Sequence, residues 1–307
     1  MNDLGLALDS YLAVRRALGF QLVREEHELR RFVVYAQQRQ SPIVTTEMAL
    51  DWATQSNNAA PITRAKQLGA LRGFARYLHA SDPRHEVPPV KLIPYHRFRH
   101  QPYIYSDEDV TALLEAAQGI RHPFRAATCT TLLGLLAVTG MRVGEALALD
   151  KDDVDYQAAV LFIRNSKFHK SRELPLHSTT RDALRVYADM RNELMSRPRT
   201  PSFFISLAGT RPAIQNVQAT FWKLLRKAGL SEHRPHRPRI HDLRHSFAVK
   251  TVRRWYQDGL DVERRLPSLS TYLGHVSPAS TYWYLTATPD LMALAAKRLE
   301  CAMGRLP

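Results

Sequence analysis

Between Ser81 and Pro102 the chain carries Pro83, Pro88, Pro89, Pro94 and Pro102, interspersed with Lys91, Arg97 and Arg99. Proline fixes φ and has no backbone N–H, so at this density no helix runs through the segment and an extended connection is expected. What lies before it and what lies after it must each build its own core. The 307 residues therefore divide into an amino-terminal part, 1–85, a linker, 86–102, and a larger part, 103–307.

The first part reads as four amphipathic helices. Leu8, Tyr11, Leu12 and Leu18 stripe the first; Leu29, Phe32, Val33 and Ala36 the second; Met48, Ala49 and Trp52 the third; Leu68, Leu71, Ala75 and Leu78 the fourth. All recur at three- and four-residue spacing. Ser41-Pro42 and Asn57-Asn58-Ala59-Ala60-Pro61 separate them. Arg15, Arg16, Arg30, Arg31, Arg64, Lys66, Arg72 and Arg76 sit between the stripes. Singly each reads as part of a solvated face; as a group they allow a helical module that holds phosphates.

Charge sharpens that reading. The formal net charge is +14, and a polyanion such as nucleic acid is its natural partner, with an anionic membrane as the rival. Up to residue 95 the chain has 12 basic and 9 acidic residues, and beyond it 31 and 20, an excess of +3 against +11, so the second part carries most of the field. No run of eighteen apolar residues is present, and Asp3 and Asp9 lie where a signal peptide would have its apolar block, so a cytoplasmic protein is expected. Cys129 and Cys301 form neither a disulfide framework nor a metal cluster. No Walker loop and no acidic pair suited to two metal ions occurs, so neither metal nor cofactor is expected.

The second part opens on Ser106-Asp107-Glu108-Asp109, a capping signature ahead of the helical face Val110, Leu113, Leu114 and Ala117. The run Ala126 to Val138 is apolar on nearly every side and belongs in the core; Thr139-Gly140 ends it, and Arg142 starts a short helix through Leu149. Ala159 to Ile163 and Arg172 to Leu176 read as a hairpin with Lys167 and Lys170 in its turn, and Pro201 to Ser206 as an edge strand. The remainder from Ile214 is mostly helical. Residues 226–254 hold nine Lys or Arg against Glu232 and Asp242, the densest positive stretch.

Four short stretches complement one another: Thr139-Gly140-Met141-Arg142-Val143-Gly144-Glu145, Ser166 to Arg172, Ile240-His241-Asp242-Leu243-Arg244-His245, and Leu273-Gly274-His275 through Tyr284. Together they supply an inventory for gripping a phosphodiester and attacking it. Two guanidinium groups on separate elements hold the non-bridging oxygens, a role that fits Arg142 and Arg244. The plain alternatives are a salt bridge to Glu145 for Arg142 and one more exposed base for Arg244. His241 falls on the same helical face as Arg244, able to exchange a proton or orient the phosphate, or else simply caps the helix. Lys167 at a hairpin tip can reach a leaving oxygen. Tyr284 needs nearby cations and a base to become a nucleophile, and Tyr282 and Tyr272 compete for that role.

This set, Thr-Gly-x-Arg-x-x-Glu, a hairpin lysine followed by Arg-x-x-Pro-Leu, His-Asp-Leu-Arg-His-Ser-Phe-Ala, and Leu-Gly-His with a tyrosine nine residues on, resembles the tyrosine recombinase (phage integrase) family over roughly residues 100 to 300. The resemblance implies a mostly α protein with a small β-hairpin or sheet (α+β): a four-helix core-binding (SAM-like) domain followed by a catalytic domain. It implies a site-specific DNA recombinase acting through a 3′-phosphotyrosine intermediate. Arg142 and Arg244 would clamp the phosphate, Lys167 would be the general acid, His241 and His275 the phosphate-contacting and acid/base histidines, and Tyr284 the nucleophile. Double-stranded DNA would be the partner, held as a homotetramer on two sites, with room for accessory proteins. Two features depart from the family pattern: the hairpin lacks the frequent glycines, so Lys167 is preferred to Lys170 by its offset from Arg172 and Pro175, and Leu285-Thr286 follow the tyrosine. A type IB topoisomerase-like enzyme and a catalytically idle DNA-binding protein are the alternatives. Leu291, Leu294, Ala295 and Leu299 form a last apolar stripe, expected to fold back on its own domain or to dock on a neighbouring protomer.

Overall fold

The apolar stripes of the first part become four helices in the computed structural model, which describes residues 4–55, 58–95, 101–164, 171–195, 199–231, 237–275 and 279–282 together with Ala293 and Ala296. Lys167, Lys170, Tyr284 and the stripe from Leu291 to Leu299 lie outside the described residues. The chain forms two compact units, Met1–Arg99 and His100–Pro307.

In the first unit α1 spans Leu4–Ala17, α2 Val23–Gln38, α3 Thr46–Thr54 and α4 Pro61–Ser81. Thr45 caps α3 by accepting from Met48 N, and Pro61 starts α4 where its missing N–H costs nothing. The stripe residues bury one another around Phe32, Ala36, Leu71 and Phe74. Leu18 is the exception at 67% exposure: α1 ends at Ala17, and Gly19, at φ 87°, turns the chain away. Beyond α4 the chain returns over the start of α3. His85, 1% exposed, accepts from Val44 N at 3.0 Å, and Glu86 accepts from Thr46 N at 2.7 Å. Burial pushes the His85 pKa below its usual value, Arg84 and His79 adding to the lowering and Asp82 opposing it.

That arrangement sets a pH dependence. A proton on Nδ1 breaks the bond to Val44, and the unfolded chain binds that proton near pH 6.5 while the folded chain resists it, so stability is lost as pH falls below about 6.5. Urea unfolding is expected to show a lower midpoint at about pH 5.5 than at about pH 7, with a smaller decline in His85→Gln, whose side chain does not titrate. An equal decline in both proteins would remove His85 from this role.

The described residues of the second unit are mostly helical, with one small sheet. Its elements are α5 (Asp107–Gln118), α6 (Pro123–Thr139), α7 (Val143–Ala148), β1 (Val154–Asp155), β2 (Val160–Ile163), β3 (Arg172–Pro175), α8 (Ser178–Leu194), α9 (Ile214–Lys227), α10 (Asp242–Gln257), α11 (Val262–Leu273) and α12 (Ala279–Tyr282). Ser106 and Asp109 form the capping box that starts α5. The core gathers around α6, which buries Phe124, Leu132, Leu133, Leu135 and Leu136 and packs on α5, α8 and α10. The sheet is antiparallel in the order β1-β2-β3, with Leu161 opposite Leu174 and Ile163 opposite Arg172. Leu161, Ile163 and Leu174 face the core.

Pro201 to Ser206 does not form the edge strand expected from its sequence. It makes a single antiparallel bridge, Asp150 to Ser202, and then turns inward so that Phe203, Phe204 and Ile205 are all buried, which period-2 exposure on an edge would not allow. A smaller cluster, Val249, Val252, Val262, Leu266, Leu269 and Leu273, binds α10 to α11 and fixes where α11 ends. No described helix is long and apolar enough to cross a membrane.

Candidate active site

Two helices end in left-handed glycines, and the site is built between them. Gly140, at φ 61°, terminates α6, and a Cβ there would lie 2.5 Å from the ring of Phe247, so both the backbone angle and the space demand glycine. Gly274, at φ 66°, terminates α11, with His275 N donating back to Ser270 O at 2.9 Å. A helix end leaves carbonyls without intrahelical partners and concentrates negative partial charge.

Here those carbonyls take arginines. Arg172 Nε donates to Tyr272 O at 2.9 Å, Arg244 Nη2 to Leu273 O at 2.7 Å, and Arg142 Nη2 to Gly274 O at 2.9 Å. Three successive oxygens thus each fix a different guanidinium. Arg244 also donates to Gly140 O at 2.9 Å, so it ties the end of α6 to the end of α11. It is 2% exposed, which overturns its reading as one more solvated base on a basic stretch.

Arg142 precedes α7 at the capping position, and its salt bridge to Glu145, 2.6 Å, stands beside the contact to Gly274. Its side chain keeps 26% of its surface open. Glu145 is buried and accepts from Arg142 N and Nη1 and from Arg172 Nη1 and Nη2, which fills its two oxygens. Burial raises its pKa, but the hydrogen bonds from Arg172 and the Arg142 backbone outweigh that and leave it below the usual value.

The two histidines complete the cluster. His241 sits just ahead of α10 with Arg244 in the first turn, its ring edge-on to His245 at 4.9 Å between centroids. His275 follows Gly274, and its Nδ1 is 2.7 Å from the hydroxyl of buried Thr281 on α12, a contact that fixes the orientation of the ring. Crowding and then the charges of Arg244 and Arg142 push both pKa values down to about 4; for His241, Asp242 pulls the other way. The same two arginines act on His241 as on His275. Both rings are therefore neutral near pH 7 without a bound anion.

The described residues bring together Arg142, His241, Arg244 and His275. Glu145, Arg172 and Thr281 also belong here, although the sequence offered Glu145 only as a salt-bridge partner and Arg172 only as an offset marker. The Arg-x-x-Glu spacing was the available signal for Glu145; nothing local points Arg172 at a carbonyl 100 residues on.

The sequence model described as the phage integrase family matches residues 104–290. Among relatives, a protein from Sinorhizobium fredii carrying the name integrase/recombinase, y4rB, is 43% identical over 98% of each chain. Tyrosine recombinase XerC from Azotobacter vinelandii is 31% identical over 72% of this chain and 68% of its own. Among solved structures, the Tn1549 transposon integrase in complex with a circular intermediate DNA covers 95% of this chain and 99% of its own, with a TM-score of 0.66 at 16% identity. XerH bound to its difH substrate covers 84% and 74%, with a TM-score of 0.61 at 21% identity.

Proposed function

The chain belongs to the phage integrase family, and from that premise we propose how it works as a site-specific DNA recombinase. The observation that carries the reading is the arginine-lined end of α11, where Arg142 and Arg244 are fixed beside two neutral histidines. A phosphodiester under attack develops charge on its non-bridging oxygens, and preorganised guanidinium groups stabilise that charge without reorganising. The Tyr284 oxygen attacks phosphorus while its proton passes to one of the neutral histidines. The bond to the leaving 5′ oxygen breaks, Lys167 protonates that oxygen, and the strand is held as a 3′-phosphotyrosine. A 5′-hydroxyl from a second duplex reverses the step and rejoins the strand, so no high-energy cofactor is consumed. The phosphate's own charge draws the histidine pKa values upward, toward the range where proton transfer at neutral pH is efficient.

Double-stranded DNA is the partner in this reading. The basic helices of the first unit are a core-binding module, and the working assembly is a homotetramer on two DNA sites, with accessory proteins joining at some sites. Affinity for random duplex is expected to fall about 10³-fold or more between about 50 and 200 mM salt, as for a protein neutralising several phosphates. A flat salt dependence would point to another partner. The deciding test offers nicked suicide duplexes made from the sequence flanking the protein's own gene and reads covalent protein–DNA product on denaturing gels. Covalent product at a defined site supports the reading, and binding without it leaves an idle DNA-binding protein.

A further inference from the structure

Of the three guanidinium groups on the end of α11, the first has no part in the chemistry set out above. Arg172 opens β3, and its side chain is 11% exposed, less than half the opening of Arg142. Its donors are taken by two separate elements of the site, Glu145 of α7 and the end of α11. Its fork meets Glu145 through two parallel bonds, 3.2 and 2.9 Å, and its Nε holds Tyr272 O. The backbone of Gly274 passes so close over the guanidinium that a Cβ there would lie 2.7 Å from Nη1.

We infer that Arg172 is a positioning residue for strand cleavage: it occupies Glu145 so that Arg142 stays turned toward Gly274 and the phosphate, and it locks β3 to the turn that carries His275. The inference rests on the recombinase reading. A buried carboxylate attracts whatever cation is nearest. With Arg172 in place, Glu145 offers Arg142 one side-chain contact, and the other Arg142 Nη reaches Gly274 O. With Arg172 gone, the fork of Arg142 closes on both oxygens of Glu145, as bidentate geometry favours, and the guanidinium turns away from the phosphate. Tyr272 O loses its donor at the same time, and the α11 end slackens two residues ahead of Gly274 and three ahead of His275. Lys167, five residues before Arg172, belongs to the same hairpin in sequence.

Three proteins decide the matter: wild type, Arg172→Ala and Arg172→Lys, each measured for duplex affinity, single-turnover cleavage of a suicide duplex at saturating protein, and thermal unfolding. Arg172→Ala is expected to bind DNA like wild type and to cleave about 100-fold more slowly, the size expected when supporting groups let a reacting group drift by about an ångström. Methylguanidinium in the buffer is expected to restore part of that rate, an effect that a general loss of packing would not show. Arg172→Lys keeps the charge but not the planar fork, so its rate is expected to fall between the two. The inference is overturned if either variant is folded and cleaves at the wild-type rate, or if affinity falls in proportion to rate, which would make Arg172 a DNA contact. Should Arg172→Ala unfold, the Arg172→Lys rate decides alone. Absence of covalent product from wild type would instead sink the recombinase reading, a distinguishable result.

Discussion

Replacing Tyr284 by phenylalanine is expected to abolish covalent attachment to DNA and to leave duplex binding intact. The substitution deletes a single oxygen and keeps the ring, so any packing the ring provides is retained while the atom that bonds to phosphorus is gone. The loss should be on the order of 10⁶-fold, the size seen when a covalent enzyme loses its nucleophile. The structure narrows the competition. Tyr272 stacks on Phe247 with ring centroids 5.6 Å apart, and burial pushes its hydroxyl pKa up to about 12, away from the phenolate form that attack requires. Its carbonyl is also committed to Arg172, which pins the residue in place. Tyr282, at the end of α12, is 48% exposed and two residues short of the nine-residue offset from His275. Tyr282→Phe should therefore attach as wild type does. Mapping the phosphotyrosine peptide checks the assignment, and a modified Tyr282 or Tyr272 would transfer the role.

The sequence made the helices legible because their signals are local. The stripes of α2, α3 and α4, the Ser106 box and the Gly140 stop each act within one or two turns, and each appears where periodicity and capping place it. Leu18 was misplaced for the same reason: a stripe says which face is apolar but not where the helix stops, and Gly19 stops it first. Pro201 to Ser206 resembled a strand because its apolar run fits one, yet tertiary burial of three consecutive side chains decided otherwise. At the site, the identities of Arg142, His241, Arg244 and His275 stood out by motif, but their environments did not. Arg244 is buried by carbonyls 104 residues earlier and 29 later, and Arg172 by a carbonyl 100 later. Such partners follow from the packing of α6, α10 and α11, which no spacing in the chain encodes.

Those distant partners set the expected result for Arg244→Lys: a cleavage rate at least about 10³-fold below wild type, the upper range for losing one transition-state donor, accompanied by a stability loss of about 1–3 kcal/mol, the cost of leaving a buried polar group without its partner. The guanidinium spans Gly140 O and Leu273 O from two nitrogens of one rigid plane. A lysine ammonium is a compact charge on a flexible stem, so it satisfies one carbonyl at the expense of the other and cannot hold the ends of α6 and α11 at a fixed separation. Charge is conserved, so whatever is lost is geometry. Arg142→Lys provides the contrast. Arg142 is half-buried and its neighbour Glu145 keeps Arg172, so that variant is expected to lose cleavage with little loss of stability. Urea unfolding and single-turnover cleavage at saturating DNA, run on both variants, separate the two effects. Arg244→Lys cleaving at the wild-type rate would take Arg244 out of the phosphate grip, and Arg244→Lys unfolding no more easily than Arg142→Lys would show that the bridge between the two helix ends is not what holds them.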